Sequence, residues 1–340
     1  MEIRKIQVTG AGDTRIISLP KDWAERYNLD RGAIVIIREL STGELILYPQ
    51  KTPDEYQKRV TRIYESPHAS RDVLTAYLLG SDIIIVYSKK GLPLTRKSEI
   101  RDLSRQLIGL EILGETKESI ELHFLIDSSS LPNPLEYVRR CFSIANQMQT
   151  DVITAFLNGD AALAEEVIER DIEVNRLYFL IVRMLKIMVD DKREMSNLRS
   201  TECLDWRMVA TYGEDLGDAA AEFAEIIKNN PNMKDLLPNA TASKIKNLSS
   251  LITEVIERTL ECFFEQNVVC AEEIKEHIST KLKNTHMEIQ NDIAKLNKEA
   301  VWQLSSLLNF FNVLRATTID IGDLIIANDS SLTLNSNQNE

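Results

Sequence analysis

Two stretches about a hundred residues apart carry one short signature inside long helical patterns. Asp215-Leu216-Gly217-Asp218 and Asp320-Ile321-Gly322-Asp323 agree at every position once leucine and isoleucine are equated. A duplicated acidic patch at that interval makes the second half of the chain one bundle built twice. It also implies that whatever the bundle does, it does with exposed carboxylates.

From Pro134 the apolar spacing is helical over long runs. It predicts six helices, at 134–157, 160–190, 199–228, 240–269, 271–297 and 299–327, grouped as triplets over 134–230 and 240–328. Asn158-Gly159-Asp160 marks the first turn, with Asp160 placed to cap the second helix. Asn229-Asn230-Pro231-Asn232 ends the third. Residues 329–340 are polar and are expected to form a disordered tail.

The first 50 residues read as β-rich. Residues 3–9 alternate, Gly10-Ala11-Gly12-Asp13 supplies a turn, and 15–19 resumes a strand before Pro20 and a short helix at 21–27. Segments 33–40 and 44–48 form a second hairpin across Ser41-Thr42-Gly43. The glycine turn lacks the Gly-Lys-Ser/Thr ending of a phosphate loop. A unit of this size buries little apolar surface and needs a partner chain or a neighbouring domain. Residues 51–132 alternate strands (59–64, 82–87, 111–113, 119–126) with helices (70–79, 97–108), predicting a small α/β domain with two helices on one face of a sheet.

Charge divides the chain. Residues 1–150 hold 21 basic and 20 acidic side chains, whereas 151–340 hold 19 and 32. The acidic half repels phosphate backbones and suits cations, so DNA contact is expected only from the first half. No apolar run approaches the roughly 18–20 residues of a membrane span, so no membrane insertion is expected. The opening residues lack a secretory stretch. Cys141, Cys203, Cys262 and Cys270 form no CxxC pair and predict reduced, packed thiols in a cytoplasmic protein.

In the second predicted helix, Leu163, Val167, Val174, Tyr178, Ile181, Leu185 and Met188 make an apolar stripe. Asp171 lies at its edge, with Asn175 one turn on. A carboxylate there needs a partner or a shifted pKa: a hydrogen bond or an arginine within the bundle, or a bound cation. In the third, Leu204, Met208, Tyr212, Leu216, Ala219, Phe223 and Ile226 make the stripe. Glu214 and Asp218, four apart, share a face with Arg207, Thr211 and Glu225 that points away from it. That face is either ordinary solvated acid or a place for something positive. Gly217 costs a helix about 1 kcal/mol relative to alanine and admits close approach by a neighbouring helix or an ion. Oxygen ligands without histidines nearby suit Mg²⁺, Ca²⁺, Mn²⁺ or iron. His68, His123, His277 and His286 are read as structural or exposed.

The run Glu165-Glu166-Val167-Ile168-Glu169-Arg170-Asp171-Ile172-Glu173-Val174-Asn175-Arg176-Leu177 resembles the second helix of PhoU phosphate-uptake regulators. Glu214-x-x-x-Asp218 is similar to the E/D-x-x-x-D motif of that family's third helix. Over 134–328 the helix count, the duplication and the motif agree. The resemblance implies tandem three-helix bundles whose acidic motifs hold divalent or trivalent metal, with Glu214, Asp218, Asp171 and Asn175 as the first site. Asn175 stands where the family carries an acid. Ile319 stands at the position matching Glu214, leaving Asp320 and Asp323 for a second site; the reading is one working site and one structural echo.

Residues 1–50 resemble the SpoVT/AbrB swapped-hairpin domain through Arg4-Lys5-Ile6, Ile16-Ile17-Ser18-Leu19-Pro20, the short helix and Gly32. This resemblance implies an obligate dimer that contacts DNA through Arg4, Lys5, Arg15 and Lys21. Ala24 and Glu25 occupy positions where that family often has a basic pair, and residues 1–50 balance at seven basic and seven acidic side chains.

The expected whole is multidomain: a β-rich swapped-hairpin domain, a small α/β domain and all-α tandem bundles. No His/Asp/Ser constellation accompanies the carboxylates, so a regulator rather than an enzyme is expected. The leading reading is a dimeric transcriptional regulator of phosphate uptake, a fusion similar to an archaeal arrangement. The alternative is an adaptor that docks on a phosphate transporter's ATPase or a signalling kinase without binding DNA.

Overall fold

The structure, a computed structural model, describes residues 3–9, 14–39, 43–49, 58–126, 133–190 and 200–327. The turns at 10–13 and 41–42 and the tail at 329–340 lie outside the described residues. The chain forms two compact units, residues 1–58 and 59–340.

The first unit holds two antiparallel hairpins and one short helix. Strand β1 (Gln7–Thr9) pairs with β2 (Thr14–Ile16), and β3 (Val35–Glu39) pairs with β4 (Leu45–Pro49). Between them α1 (Lys21–Arg26) follows Pro20, whose fixed φ suits a helix start, and it buries none of its residues. The strands are rich in β-branched residues, yet Ile6, Val8, Ile16, Ile36, Ile37 and Leu45 are all exposed. The unit by itself therefore has almost no core.

The second unit begins with a four-stranded sheet. Its strands are β5 (Val60–Tyr64), β6 (Ile83–Tyr87), β7 (Leu110–Glu115) and β8 (Ser119–Phe124), in the spatial order β5-β6-β8-β7. The β5–β6 pair is parallel and the other two are antiparallel. Helices α2 (Ala69–Leu78) and α3 (Leu94–Arg105) cover one face, where Ile84, Val86, Ile120 and Leu122 meet Val73, Tyr77 and Ile100 in a separate core. The expected α/β arrangement is present.

The rest is helical: α4 (Pro134–Asn158), α5 (Ala161–Asp190), α6 (Ser200–Asn229), a 3₁₀ segment (Pro231–Leu236), α7 (Asn239–Glu265), α8 (Val268–Glu273), α9 (Ser279–Ala294) and α10 (Lys298–Ala327). Local chemistry fixes the ends. The Asn133 side chain accepts from the Leu135 N–H ahead of Pro134, and Gly159 ends α4 in the left-handed region at φ 66°. The Asp160 carboxylate accepts from the Ala162 and Leu163 N–H groups at 3.1 and 3.0 Å, as its position suggested. The fifth predicted helix, 271–297, is broken instead: α8 passes through a π turn (Ile274–Ile278) before α9.

Both triplets share one continuous core. Trp206 of α6 meets Phe263 and Phe264 of α7 at 4.7 and 4.9 Å, and Phe223 of α6 stacks on Phe310 of α10 at 5.3 Å. This contact corrects the stripe expected for α6. Leu204 and Met208 are exposed, while Cys203, Trp206, Val209 and Ala210 are buried. The face of α6 is set by the second bundle as well as by α4 and α5, and one helix's own spacing does not report that.

The cysteine reading is corrected too. Cys262 and Cys270 are disulfide-bonded, with Cα atoms 5.9 Å apart, while Cys141 and Cys203 are free and buried. Gln266 ends α7 at φ 52°, and the tight turn folds α8 back so that residues eight apart face each other. No helix among the described residues is long and apolar enough to cross a membrane.

Candidate functional site

Three helix-borne carboxylates gather where α5 packs on α6. Gly217 makes this possible. A Cβ there would lie 3.0 Å from Val174 Cγ1 and 3.4 Å from Asp171 Oδ1, so the bare glycine lets α5 bring Asp171 against the acidic face of α6. Asn175 Nδ2 donates to Asp171 Oδ2 at 2.7 Å, holding the carboxyl from one turn along its own helix. Asp171 Oδ1 is buried and receives no donor. Asp218 is close enough to share a hydrogen-bonding proton with Asp171.

The carboxyl pKa values reflect the crowding. Burial, then the Asp218 charge, pushes the Asp171 carboxyl up to about 6. Glu214 rises to about 7, first through burial and then through Asp218, Asp215 and Asp171, with Arg207 opposing. Asp215 and Asp218 are also raised, mainly by burial. Asp171 and Asp218 cannot both ionise at this spacing without cost, so one proton is shared between them. Beneath them the buried Cys141 thiol is pushed up to about 12, by burial and then by Glu214 and Asp171. Along that face Arg207, Thr211 and Glu214 are half-buried while Asp218 and Glu225 stay exposed, so it is not fully turned away from the core.

The donor set fits a hard cation in one respect: two carboxylates meet around an oxygen without a donor, and only a proton or a positive ion reconciles them. No group of three or more His, Cys, Asp or Glu side chains is already arranged to hold a metal among the described residues. Asp171 and Asp218 would hold the ion, with Glu214 on the same face and Asn175 positioning Asp171. Glu214 stands beside Arg207, which bonds Thr211 and donates from Nη2 to the Tyr178 hydroxyl at 2.6 Å.

Gly217→Val tests this packing. Its branched side chain enters a contact with no room, so a loss of about 1–3 kcal/mol is expected in chemical denaturation. The carboxyl titration of Asp171, followed by NMR, is expected to return toward its ordinary range as the two carboxyls separate.

The second copy is built differently. Ile319 replaces the carboxylate matching Glu214, and Asp323 is paired with Lys275 at 2.5 Å. Ile319, Gly322, Lys275 and Arg315 line one small cavity. Lys275 therefore already neutralises Asp323, with Arg315 lining the same cavity. Sequence reasoning singled out Asp320 and Asp323 but missed Lys275. The signal was its offset, since Lys275 follows Asp171 by nearly the same interval that separates the two acidic motifs.

Asp320 belongs elsewhere. It is exposed and raises the pKa of Asp215, while Tyr212 is raised by burial and then by Asp320, Asp215 and Asp323. Together with the Phe223–Phe310 stack, these contacts show residue numbers rising on α6 as they fall on α10. The two helices run antiparallel, and the two copies of the motif meet across their interface.

Arg183 is a further residue that the sequence reading passed over. It comes from α5, is 2% exposed, and donates from Nη1 to the Tyr77 carbonyl of α2 at 2.5 Å. Its guanidinium lies 3.9 Å over the Phe124 ring and 5.0 Å from the Tyr77 ring. The signal was a lone arginine within Leu180-Ile181-Val182-Arg183-Met184-Leu185.

In the first unit, Arg4, Lys5, Arg15 and Lys21 are all exposed. Arg15 pairs across the hairpin with Val8, and Lys21 forms an i,i+4 ion pair with Glu25 at 3.5 Å. That acid offsets part of the positive field the helix start would otherwise present.

Comparison with known proteins agrees with this architecture. Residues 138–227 match the PhoU domain, and residues 11–55 match the domain described as antidote-toxin recognition MazE, bacterial antitoxin. The fold is similar to the crystal structure of PhoU from Pseudomonas aeruginosa, with a TM-score of 0.50 and 13% identity, covering 56% of this chain and 92% of that one. No curated protein matches the chain. The chain thus joins an AbrB/MazE-like N-terminal domain, through an α/β region, to helical bundles with a PhoU fold.

Proposed function

From a chain that carries a PhoU domain beside a MazE/AbrB-like domain, we propose a non-enzymatic, dimeric regulator of phosphate uptake. Its N-terminal units bind operator DNA as a pair, and its first bundle senses a cation at Asp171, Glu214 and Asp218. The observation that carries this reading is the carboxyl cluster itself. A buried oxygen without a donor beside a second carboxylate is an unstable arrangement unless a proton or cation joins them. Bound there, a metal would supply charge neutralisation, and the pH dependence of its binding would follow from displacing the shared proton.

Dimerisation is supported by the exposed apolar strands of the first unit, which match a surface meant to be covered. DNA contact rests on Arg4, Lys5, Arg15 and Lys21, which belong to the half of the chain that is not acidic. Gel shifts with the chain's own upstream region test it. Wild type is expected to bind with steep salt dependence, and a Lys5→Ala/Arg15→Ala variant to bind far more weakly. Wild type that binds no such DNA at low salt removes the transcriptional reading.

The balance of seven basic and seven acidic residues over 1–50, and the Lys21–Glu25 pair, favour a second reading. In it the N-terminal unit only dimerises, and the acidic bundles dock on a phosphate transporter's ATPase or a signalling kinase. Failure of the gel shift together with recovery of such a partner in a native pull-down selects this alternative.

A further inference from the structure

The sheet of the α/β region has a second face that α2 and α3 do not cover. Alternation places Arg62, Ile85 and Glu121 there in one row across β5, β6 and β8, opposite to the buried Ile63, Ile84 and Leu122. Tyr64 and Tyr87 belong to the same face. They are 56% and 37% exposed, with their rings in edge contact at 5.6 Å. A sheet face with two exposed tyrosines and half-buried isoleucines is an interaction surface, because single-sided sheets ordinarily turn polar residues to water.

We propose that this face packs against the same face of a second copy of the chain, about a two-fold axis running along β6. The row of residues sets the direction of that axis. Neighbouring strands lie about 4.8 Å apart, with Ile85 between Arg62 and Glu121. Rotation about β6 brings Arg62 opposite the partner's Glu121 on both sides and sets Ile85 and Tyr87 against their own copies. An axis across the strands would instead set arginine against arginine. The face is therefore complementary to itself in one orientation, which is what a closed dimer requires. Glu121, which His123 Nε2 contacts at 2.6 Å on the same face, keeps its second oxygen for the partner's arginine, and this acid offsets Arg62, so a nucleic-acid backbone is a poor occupant.

A tether adds to this. Val60 follows Pro49, the end of β4, by eleven residues. Two chains joined through their hairpins carry both copies of the sheet in one assembly, which raises the effective concentration of one face for the other. This step rests on the N-terminal dimer proposed above.

The test uses the full chain. An Ile85→Cys variant is treated with a short bis-maleimide, beside a Thr154→Cys control on the exposed side of α4. The native cysteines are buried or disulfide-bonded. Ile85→Cys is expected to cross-link into a covalent dimer and the control is not. Adding Arg62→Glu is expected to lower the cross-linked fraction to the control level, and adding Glu121→Arg as well to restore it. Cross-linking of Ile85→Cys no greater than the control, or unaffected by Arg62→Glu, overturns the proposal. Sedimentation of the same samples separates the two claims. A dimer without cross-linking contradicts the sheet-face interface alone, whereas a monomer contradicts the hairpin dimer as well.

Discussion

Replacing Arg183 by alanine is expected to lower the stability of the 59–340 unit by about 3–5 kcal/mol. The guanidinium is buried between α5 and the α/β region, bonded to the Tyr77 carbonyl and stacked over Phe124. Alanine leaves a cavity and strips that carbonyl of a charged donor, and each change is costly on its own. Lysine keeps the charge but not the planar stack, so Arg183→Lys is expected to recover only part of the loss. Urea unfolding followed by circular dichroism measures both. A loss below about 1 kcal/mol for Arg183→Ala would mean that the contact only fills space.

Arg183 shares its helix with the carboxyl cluster. It lies twelve residues along α5 from Asp171, or about 18 Å at 1.5 Å per residue. Phe179, between them, packs against the α/β core, and its neighbour Tyr178 bonds Arg207 beside the carboxyl cluster. One continuous helix therefore carries both Asp171 of the candidate cation site and the contact with the α/β region.

Without metal, the contribution of the carboxyl cluster to stability is expected to fall as pH rises. Asp171 and Glu214 have folded-state pKa values of about 6 and about 7, above their ordinary values of 3.8 and 4.5. Between those limits the folded chain binds more protons than the unfolded chain, so the cluster is least costly below about pH 4 and its full penalty is present above about pH 7. Unfolding in chelator at pH 5 and pH 8 is expected to show a smaller decline for an Asp171→Asn/Glu214→Gln variant than for wild type. Added Mn²⁺ is expected to stabilise wild type more at pH 8 than at pH 5, because the ion replaces protons. Equal slopes for variant and wild type would show that folding does not raise the pKa values of Asp171 and Glu214.

Much of the architecture was legible in the sequence because it is written in local chemistry. Asp160 and Gly159 mark a helix junction whatever the rest of the chain does, and Gly217 advertises a close approach that turned out to be α5. What local periodicity could not convey was contact between repeats. Leu204 and Met208 looked like core because the second bundle's hold on Trp206 and Phe223 is invisible in α6 alone. Lys275 escaped notice for the same reason, since its meaning depends on facing Asp323 across two helices. The Cys262–Cys270 bond depends on a tight turn at Gln266, a residue with no turn preference that would have announced it. At the site, the carboxylate types were readable but their burial was not, and burial is the first cause of every raised pKa in the cluster.

Metal content measures the central claim most directly. Wild type purified without chelator is compared by elemental analysis with Glu214→Ala/Asp218→Ala and with Asp320→Ala/Asp323→Ala. Wild type is expected to carry one site's worth of divalent or trivalent metal per chain. The first variant is expected to lose it, and the second to keep it because Lys275 already neutralises Asp323. Equal metal in wild type and the Glu214→Ala/Asp218→Ala variant would contradict a cation site in the first bundle.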